Sequence, residues 1–238
     1  MIEVALFDLD DTIFAHRKAV RDGIAAHLAT TLPGVHGPDH LDRWDDLEEH
    51  HYSRYLRGEL TYLGQRHARA REFMRPLGLE FETDHEAERW FETYLVEYRR
   101  AWTLYDDTLP CLDALAAAGV RLGIITNGIL DFQMAKLDAL DLTPRFEHIV
   151  TSGEFGVAKP DARIFEHACS LFGAAPSAAA YIGDRLQTDA VGASAAGLLG
   201  VWLDRGEDAT AEELATAEAT GAVVIRTLDP LPDLLLSR

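Results

Sequence analysis

The chain has 238 residues, 47% of them hydrophobic, with 40 acidic against 22 basic side chains and a net charge of −18. That length buries a sizeable core, as one large domain or as a domain carrying an insert. The charge excludes nucleic acid or an anionic membrane as the main partner, since both demand basic patches. No uncharged stretch reaches the ~20 residues of a membrane helix, and no basic segment precedes the first apolar run as it would in a signal peptide. The two cysteines, Cys111 and Cys169, fall within helical patterns. The expectation is a cytoplasmic protein whose thiols are reduced packing residues.

The opening, MIEVALFDLDDTIF, carries an apolar run from Ile2 to Phe7 broken only by Glu3. Such a run suits a strand covered on both faces, and it leads straight to Asp8, Asp10 and Asp11. From Ile13 to about Tyr105 no strand-like run occurs, and apolar residues recur at helical spacing, as in Trp90, Phe91, Tyr94, Leu95 and Tyr98. Breaks at TLPGVHGPD, RGEL and PLGLEFETD, with Thr61 and Asp84 as helix caps, divide this stretch into about four helices. Residues 15–104 hold 13 basic and 16 acidic side chains and eight of the ten histidines, so the rest of the chain carries a net charge of −15. After Tyr105 strand and helix patterns alternate. GVRLGIIT is followed by a helix from about Leu130, FEHIV by one from about Asp161, AAAYIG by one from about Thr188, LLGVWL by a short helix near Ala211, and AVVI closes the series. The alternation predicts an α/β fold, a parallel sheet with helices on both faces, built from residues 1–14 and 105–238 and interrupted by an all-helical insert of 15–104.

Ligands of such sheets bind beyond the carboxyl ends of the strands, and each strand here ends in polar residues. The first delivers Asp8 and Asp10, the second Thr126, Asn127 and Gly128; Lys159 follows the third, and Asp184 the fourth, with Asp189 five residues on. Asp8 and Asp10, two residues apart, are expected to project to one side. Three carboxylates converging with Asp184 would stay partly protonated unless a cation compensated them. An all-oxygen donor set without paired His or Cys favours Mg2+, which keeps several waters and bridges to phosphate. Lys159 and the Thr126 hydroxyl then suit a phosphoryl group held against the metal, because phosphoryl transfer is catalysed chiefly by positioning and charge neutralisation.

At the four motifs DLDDT, ITNG, KPD and GDRLQTD, spread from Asp8 to Asp189, the sequence resembles the haloacid dehalogenase superfamily of phosphohydrolases. The resemblance implies a Rossmann-like core with a helical cap inserted after the first motif. It also implies that Asp8 is the nucleophile and forms an aspartyl-phosphate, while Asp10 protonates the leaving oxygen and then activates water. Thr126, Asn127, Gly128 and Lys159 would bind the phosphate. Asp8, the backbone carbonyl of Asp10 and Asp184 would hold Mg2+, supported by Asp189. Asp11 stands where many members have Gly, and Asp tolerates the left-handed backbone that such a turn needs.

Within the family, dehalogenases lack the second Asp of the first motif and need no metal, so Asp10 and Asp184 argue for the phosphatase branch. Phosphonate hydrolysis there needs a cap lysine, and the only lysine of the insert is Lys18, at its very start. A phosphomutase or phosphotransferase shares the same core and stays an alternative. A phosphate-sensing module would lack the nucleophile or the acid, and both are present. The expected activity is Mg2+-dependent hydrolysis of a small phosphorylated metabolite, a nucleotide or sugar phosphate. The 33 residues separating Thr126 from Lys159 leave no room for a second cap, so substrate choice is assigned to the first. Arg54 and Arg57 are its substrate-binding candidates, with Arg66 and the segment Phe14, His16 and Arg17 beside them.

Overall fold

The protein is described by a computed structural model over residues 2–238. Six parallel strands form one sheet: β1 (Val4–Phe7), β2 (Arg121–Thr126), β3 (His148–Thr151), β4 (Ala179–Gly183), β5 (Leu199–Leu203) and β6 (Val223–Ile225), in the order β3-β2-β1-β4-β5-β6. This is a doubly wound order whose direction reverses at β1, between β2 and β4. Phe7 is in register with Ile124 on one side and Ile182 on the other. Every residue of β1 is fully buried, which is why its sequence is apolar without alternation.

The chain divides into two compact units, residues 2–15 with Leu104–Arg238, and His16–Thr103. The second unit consists of α1 (His16–Thr31), α2 (Pro38–Leu56), α3 (Tyr62–Met74) and α4 (Asp84–Arg100). Thr61 caps α3 by accepting a hydrogen bond from the Gly64 amide. At α4 the cap is Thr83, one residue before the expected Asp84. Its hydroxyl accepts from the Glu86 amide while the Glu86 carboxylate accepts from the Thr83 amide, and this reciprocal pair satisfies two otherwise orphaned donors. Asp84 instead opens the helix, where a negative charge favours the positive end of the dipole. The unit's core centres on Trp44, which meets Phe73 and Tyr94 edge-on at 4.9 Å between ring centroids, with the Arg69 guanidinium 3.7 Å from its ring centroid.

The first unit carries α5 (Thr108–Ala117), α6 (Leu130–Ala139), the single turn α7 (Ser152–Phe155), α8 (Ala162–Leu171), a wide π-helical turn over Leu186–Val191, then α9 (Gly192–Ala195), α10 (Ala211–Thr220) and α11 (Leu231–Leu236). The helix expected from about Thr188 thus begins two residues earlier, and its first turn is π-helical. Val4 and Leu6 pack with Ile125, Phe165, Cys169 and Tyr181, while Leu186, Ala190, Trp202 and Ala217 form a second cluster. Both cysteines are free and buried, and burial pushes the Cys111 thiol up to about 12 and Cys169 to about 11. Where the chain leaves for the insert and returns from it, Phe14 bridges both Asp10 and Leu104, and the Tyr105 amide donates to the Ile13 carbonyl. No helix among the described residues is long and apolar enough to cross a membrane.

Candidate active site

Asp8 continues β1 by one hydrogen bond, its amide donating to the Ile182 carbonyl at 2.8 Å. The carboxylate therefore stands between β2 and β4, where the winding of the sheet reverses. The chain then turns at once. Asp11 has φ 59°, the left-handed conformation expected of it, and the Ile13 and Phe14 amides both return to the Leu9 carbonyl.

Lys159 is the centre of the polar network. Its ammonium donates to Asp8 Oδ1 at 2.6 Å, Asp189 Oδ1 at 2.8 Å and the Tyr181 hydroxyl at 2.6 Å, so all three donors are used. Tyr181, from the middle of β4, donates its own hydroxyl hydrogen bond to the Ile125 carbonyl at 2.8 Å. The backbone of Lys159 is held as firmly as its side chain. Asn127 Oδ1 accepts from the Lys159 amide at 2.9 Å, and Asn127 Nδ2 donates to the Lys159 carbonyl at 3.1 Å, next to a cis Lys159–Pro160 bond. The Asn127 side chain, a candidate phosphate binder, is thus committed to placing the lysine. The Gly128 amide donates to the Ser152 hydroxyl, and the Thr126 hydroxyl accepts from Gln133 at 2.6 Å.

The carboxylates of Asp8, Asp184 and Asp189 offer oxygens that all lie within 4.8 Å of one another. Asp189 is drawn in by the π-helical turn, where its Oδ2 caps the Arg185 amide. Asp10 takes a different direction. Because β1 ends at Phe7, the two-residue alternation of a strand does not extend to Asp10. Its oxygens meet Lys136 Nζ at 2.5 Å and Gln133 Nε2 at 3.1 Å, so its carboxylate is outside the group of three.

Burial pushes the Asp8 carboxyl up to about 7, with Lys159 pulling it down less than burial, Asp189 and Asp10 push it up. Asp184 is raised well above the usual carboxylate range by burial and by Asp189 and Asp8. Burial opposes the charge on Lys159, but Asp189 and Asp8 outweigh it and hold its pKa above the ordinary value. Three acidic groups and one ammonium in a buried site leave an excess of negative charge that a divalent cation would balance. The all-oxygen donor set fits Mg2+.

Gly183 shows how tightly the site is built, because a Cβ there would stand 2.4 Å from both Cγ and Oδ2 of Asp189. Gly183→Ala must push Asp189 away from Lys159. The expected result is a loss of turnover on the order of 100-fold, as positioning errors of about 1 Å produce, in a protein that still folds. Steady-state assays beside thermal melts check this, and wild-type turnover in the alanine variant would mean that Asp189 is not needed where it stands.

In the helical unit Arg54 and Arg57 both reach Glu59, with Nε to carboxylate distances of 3.2 and 2.7 Å. Arg54 also lines a groove of about 550 Å3 with His51, Arg71 and Arg75. Arg66 is buried beneath Tyr62, whose hydroxyl accepts from its guanidinium. Tyr181, Gln133 and Lys136 were not singled out by the sequence reasoning. Lys136 had one usable signal, as one of only three lysines in the chain.

Fold and site together define a class, the α/β enzymes that work at the carboxyl edge of a parallel sheet. The haloacid dehalogenase-like hydrolase family model matches residues 2–197, and the chain belongs to that family. It is 32% identical over 220 residues to the glyceraldehyde 3-phosphate phosphatase of Methanopyrus kandleri, an alignment covering 87% of this chain and 86% of that one. It is 42% identical to the phosphoserine phosphatase of Thermus thermophilus over 108 residues, 45% of this chain and 43% of the other. Among solved structures, the magnesium-bound HAD-hydrolase YfnB of Bacillus subtilis has the same fold, with a TM-score of 0.82 at 21% identity over 99% of both chains. The chain is an enzyme, a phosphoric monoester hydrolase of this family.

Proposed function

We propose that the protein is a cytoplasmic Mg2+-dependent phosphatase of small phosphorylated metabolites, a sugar phosphate or phosphoserine, that works through phosphorylation of Asp8. The observation that carries this reading is the buried Asp8 carboxylate, held by Lys159 within a group of three carboxylates at one sheet edge. Mg2+, held by Asp8, Asp184 and the Asp10 carbonyl with Asp189 behind them, would supply the charge that lets a phosphate dianion share the site with carboxylates.

The chain's own groups account for the chemistry. Lys159 orients Asp8 and neutralises a phosphoryl oxygen, and the Thr126 hydroxyl binds another. A carboxylate oxygen of Asp8 attacks phosphorus as the bond to the leaving oxygen breaks, and Asp10 gives that oxygen a proton. Asp10 then takes a proton from water as the water attacks phosphorus, which frees phosphate and restores Asp8. The helical unit His16–Thr103 carries the choice of leaving group, with Arg54, Arg57 and Arg66 in the stretch that selects it.

A panel of glyceraldehyde 3-phosphate, phosphoserine, ribose 5-phosphate and nucleoside monophosphates, assayed with Mg2+ for phosphate release, tests the reading. At least one compound should give a kcat/KM of about 10^4 M−1 s−1 or more. Phosphate passed to a second sugar in place of water would assign a phosphotransferase, and silence across the panel would reject a small-metabolite phosphatase.

A further inference from the structure

Two residues of α6, neither in the motifs that define the site, take both oxygens of Asp10. Lys136 Nζ is 2.5 Å from Oδ1 and Gln133 Nε2 is 3.1 Å from Oδ2. We infer that Lys136, with Gln133, is the positioning residue of this enzyme's acid–base group, setting the orientation from which the Asp10 carboxyl exchanges protons with the leaving oxygen and with water. The inference deepens the mechanism proposed above and rests on its assignment of Asp10.

The geometry makes the case. Asp10 lies in a loop beyond the end of β1, with a side chain 28% exposed, so the strand itself does not set the direction of its carboxylate. A general acid or base must come within hydrogen-bonding reach of the atom it serves, and an aspartate that samples several rotamers does so only part of the time. Lys136 and Gln133 sit three residues apart, on one face of a single helix, and seize one oxygen each. Together they fix the carboxylate plane as well as its distance.

The cost of the arrangement points the same way. The Lys136 side chain is 2% exposed, and withdrawing an ammonium from water costs several kcal/mol unless a partner offsets it. A neutral apolar residue would fill the same volume with less penalty. The ammonium itself lies over two aromatic rings, with Nζ 5.1 Å from the Phe14 centroid and 5.3 Å from that of Phe132, cation–π contacts that help to hold it beside Asp10. Gln133 extends the constraint, because the same Nε2 donates to the Thr126 hydroxyl at 2.6 Å. One amide thereby links the Asp10 loop to the end of β2.

Leaving-group dependence separates this role from a structural ion pair. An alkyl phosphate expels a basic alkoxide that needs Asp10's proton, whereas p-nitrophenyl phosphate expels a phenolate that needs little help. The full-length enzyme with Mg2+ is assayed on both, the alkyl ester being whichever of glyceraldehyde 3-phosphate and phosphoserine turns over faster. Lys136→Met should lower kcat/KM, which reports transfer of the phosphoryl group to Asp8 and not the hydrolysis that both esters share, on the order of 100-fold for the alkyl ester and about tenfold or less for the aryl ester. Gln133→Leu should shift both in the same sense by smaller factors. Asp10→Asn should discriminate between the esters in the same way, and adding Lys136→Met to it should cost nothing further.

Equal losses on the two esters, or additive losses in the double variant, would overturn the inference. Should Asp10→Asn itself treat the esters alike, the acid–base assignment falls and this inference with it. Should Asp10→Asn discriminate where Lys136→Met does not, only the role of Lys136 is rejected. If Lys136→Met fails to fold, the neutral exchange Gln133→Leu carries the same comparison.

Discussion

Asp8→Asn leaves a folded protein whose turnover is lower by roughly 10^4-fold or more. The amide oxygen can still accept from Lys159, so the network around it survives, but an amide does not form an acyl phosphate and the two-step route is lost. Stability should move the other way. The Asp8 carboxyl is raised from 3.8 to about 7 in the folded state, chiefly by burial. A carboxyl raised in this way contributes stability that is complete below its unfolded value and is lost as pH rises through the folded value. Above pH 7 the wild type without metal therefore bears an ionised group that its surroundings disfavour, and Asn does not. In chelator at pH 8, melts should place the variant at or above the wild type. A variant that keeps most of its turnover would point to direct attack by water, and one that melts far below the wild type would show that the Asp8 charge supports the fold.

Removal of Mg2+ should bring turnover on every substrate to background and its return should restore it. The same ion should raise the melting temperature, because a ligand that binds only the folded state at 100 times its dissociation constant stabilises it by about 2.7 kcal/mol. Asp8 and Asp184 both hold protons to higher pH than ordinary carboxylates, and protons compete with a metal for carboxylate oxygens. The Mg2+-induced shift in melting should accordingly be larger at pH 8 than at pH 5.5. Full turnover in chelator would remove the metal from the mechanism, and a shift indifferent to pH would remove these two carboxylates from its ligands.

How much of this was legible in the sequence follows from what sets each feature. Asp8 and Asp184 directly follow β1 and β4, and strands announce themselves by apolar runs, so their ends and the residues just beyond them can be read along the chain. Lys159 lies further on, past β3 and the single turn α7, and was legible through the Pro160 and Asp161 that follow it, not through a strand end. The direction of the Asp10 side chain could not. It lies past the last strand residue, and its partners Gln133 and Lys136 are more than 120 positions away, where only tertiary structure brings them near. The side-chain partner of Asn127 was hidden by the same limit, since the backbone of Lys159 that its amide meets is 32 residues on. The cap at Thr83 differs from the expected Asp84 by one position because both residue types serve as caps, and only the reciprocal bond to Glu86 decides between them.

The insert leaves the core and re-enters it through backbone that is already joined, Phe14 bridging Leu104. For the first unit, the 88 residues from His16 to Thr103 amount to a loop whose ends are pinned together by the core's own hydrogen bonds. Doubling the length of such a loop costs only about 0.6 kcal/mol in closure entropy. The catalytic half is thereby insulated from the history of its insert. Helices there can be lengthened, shuffled or exchanged wholesale without disturbing the register of the strands that lead to the aspartates.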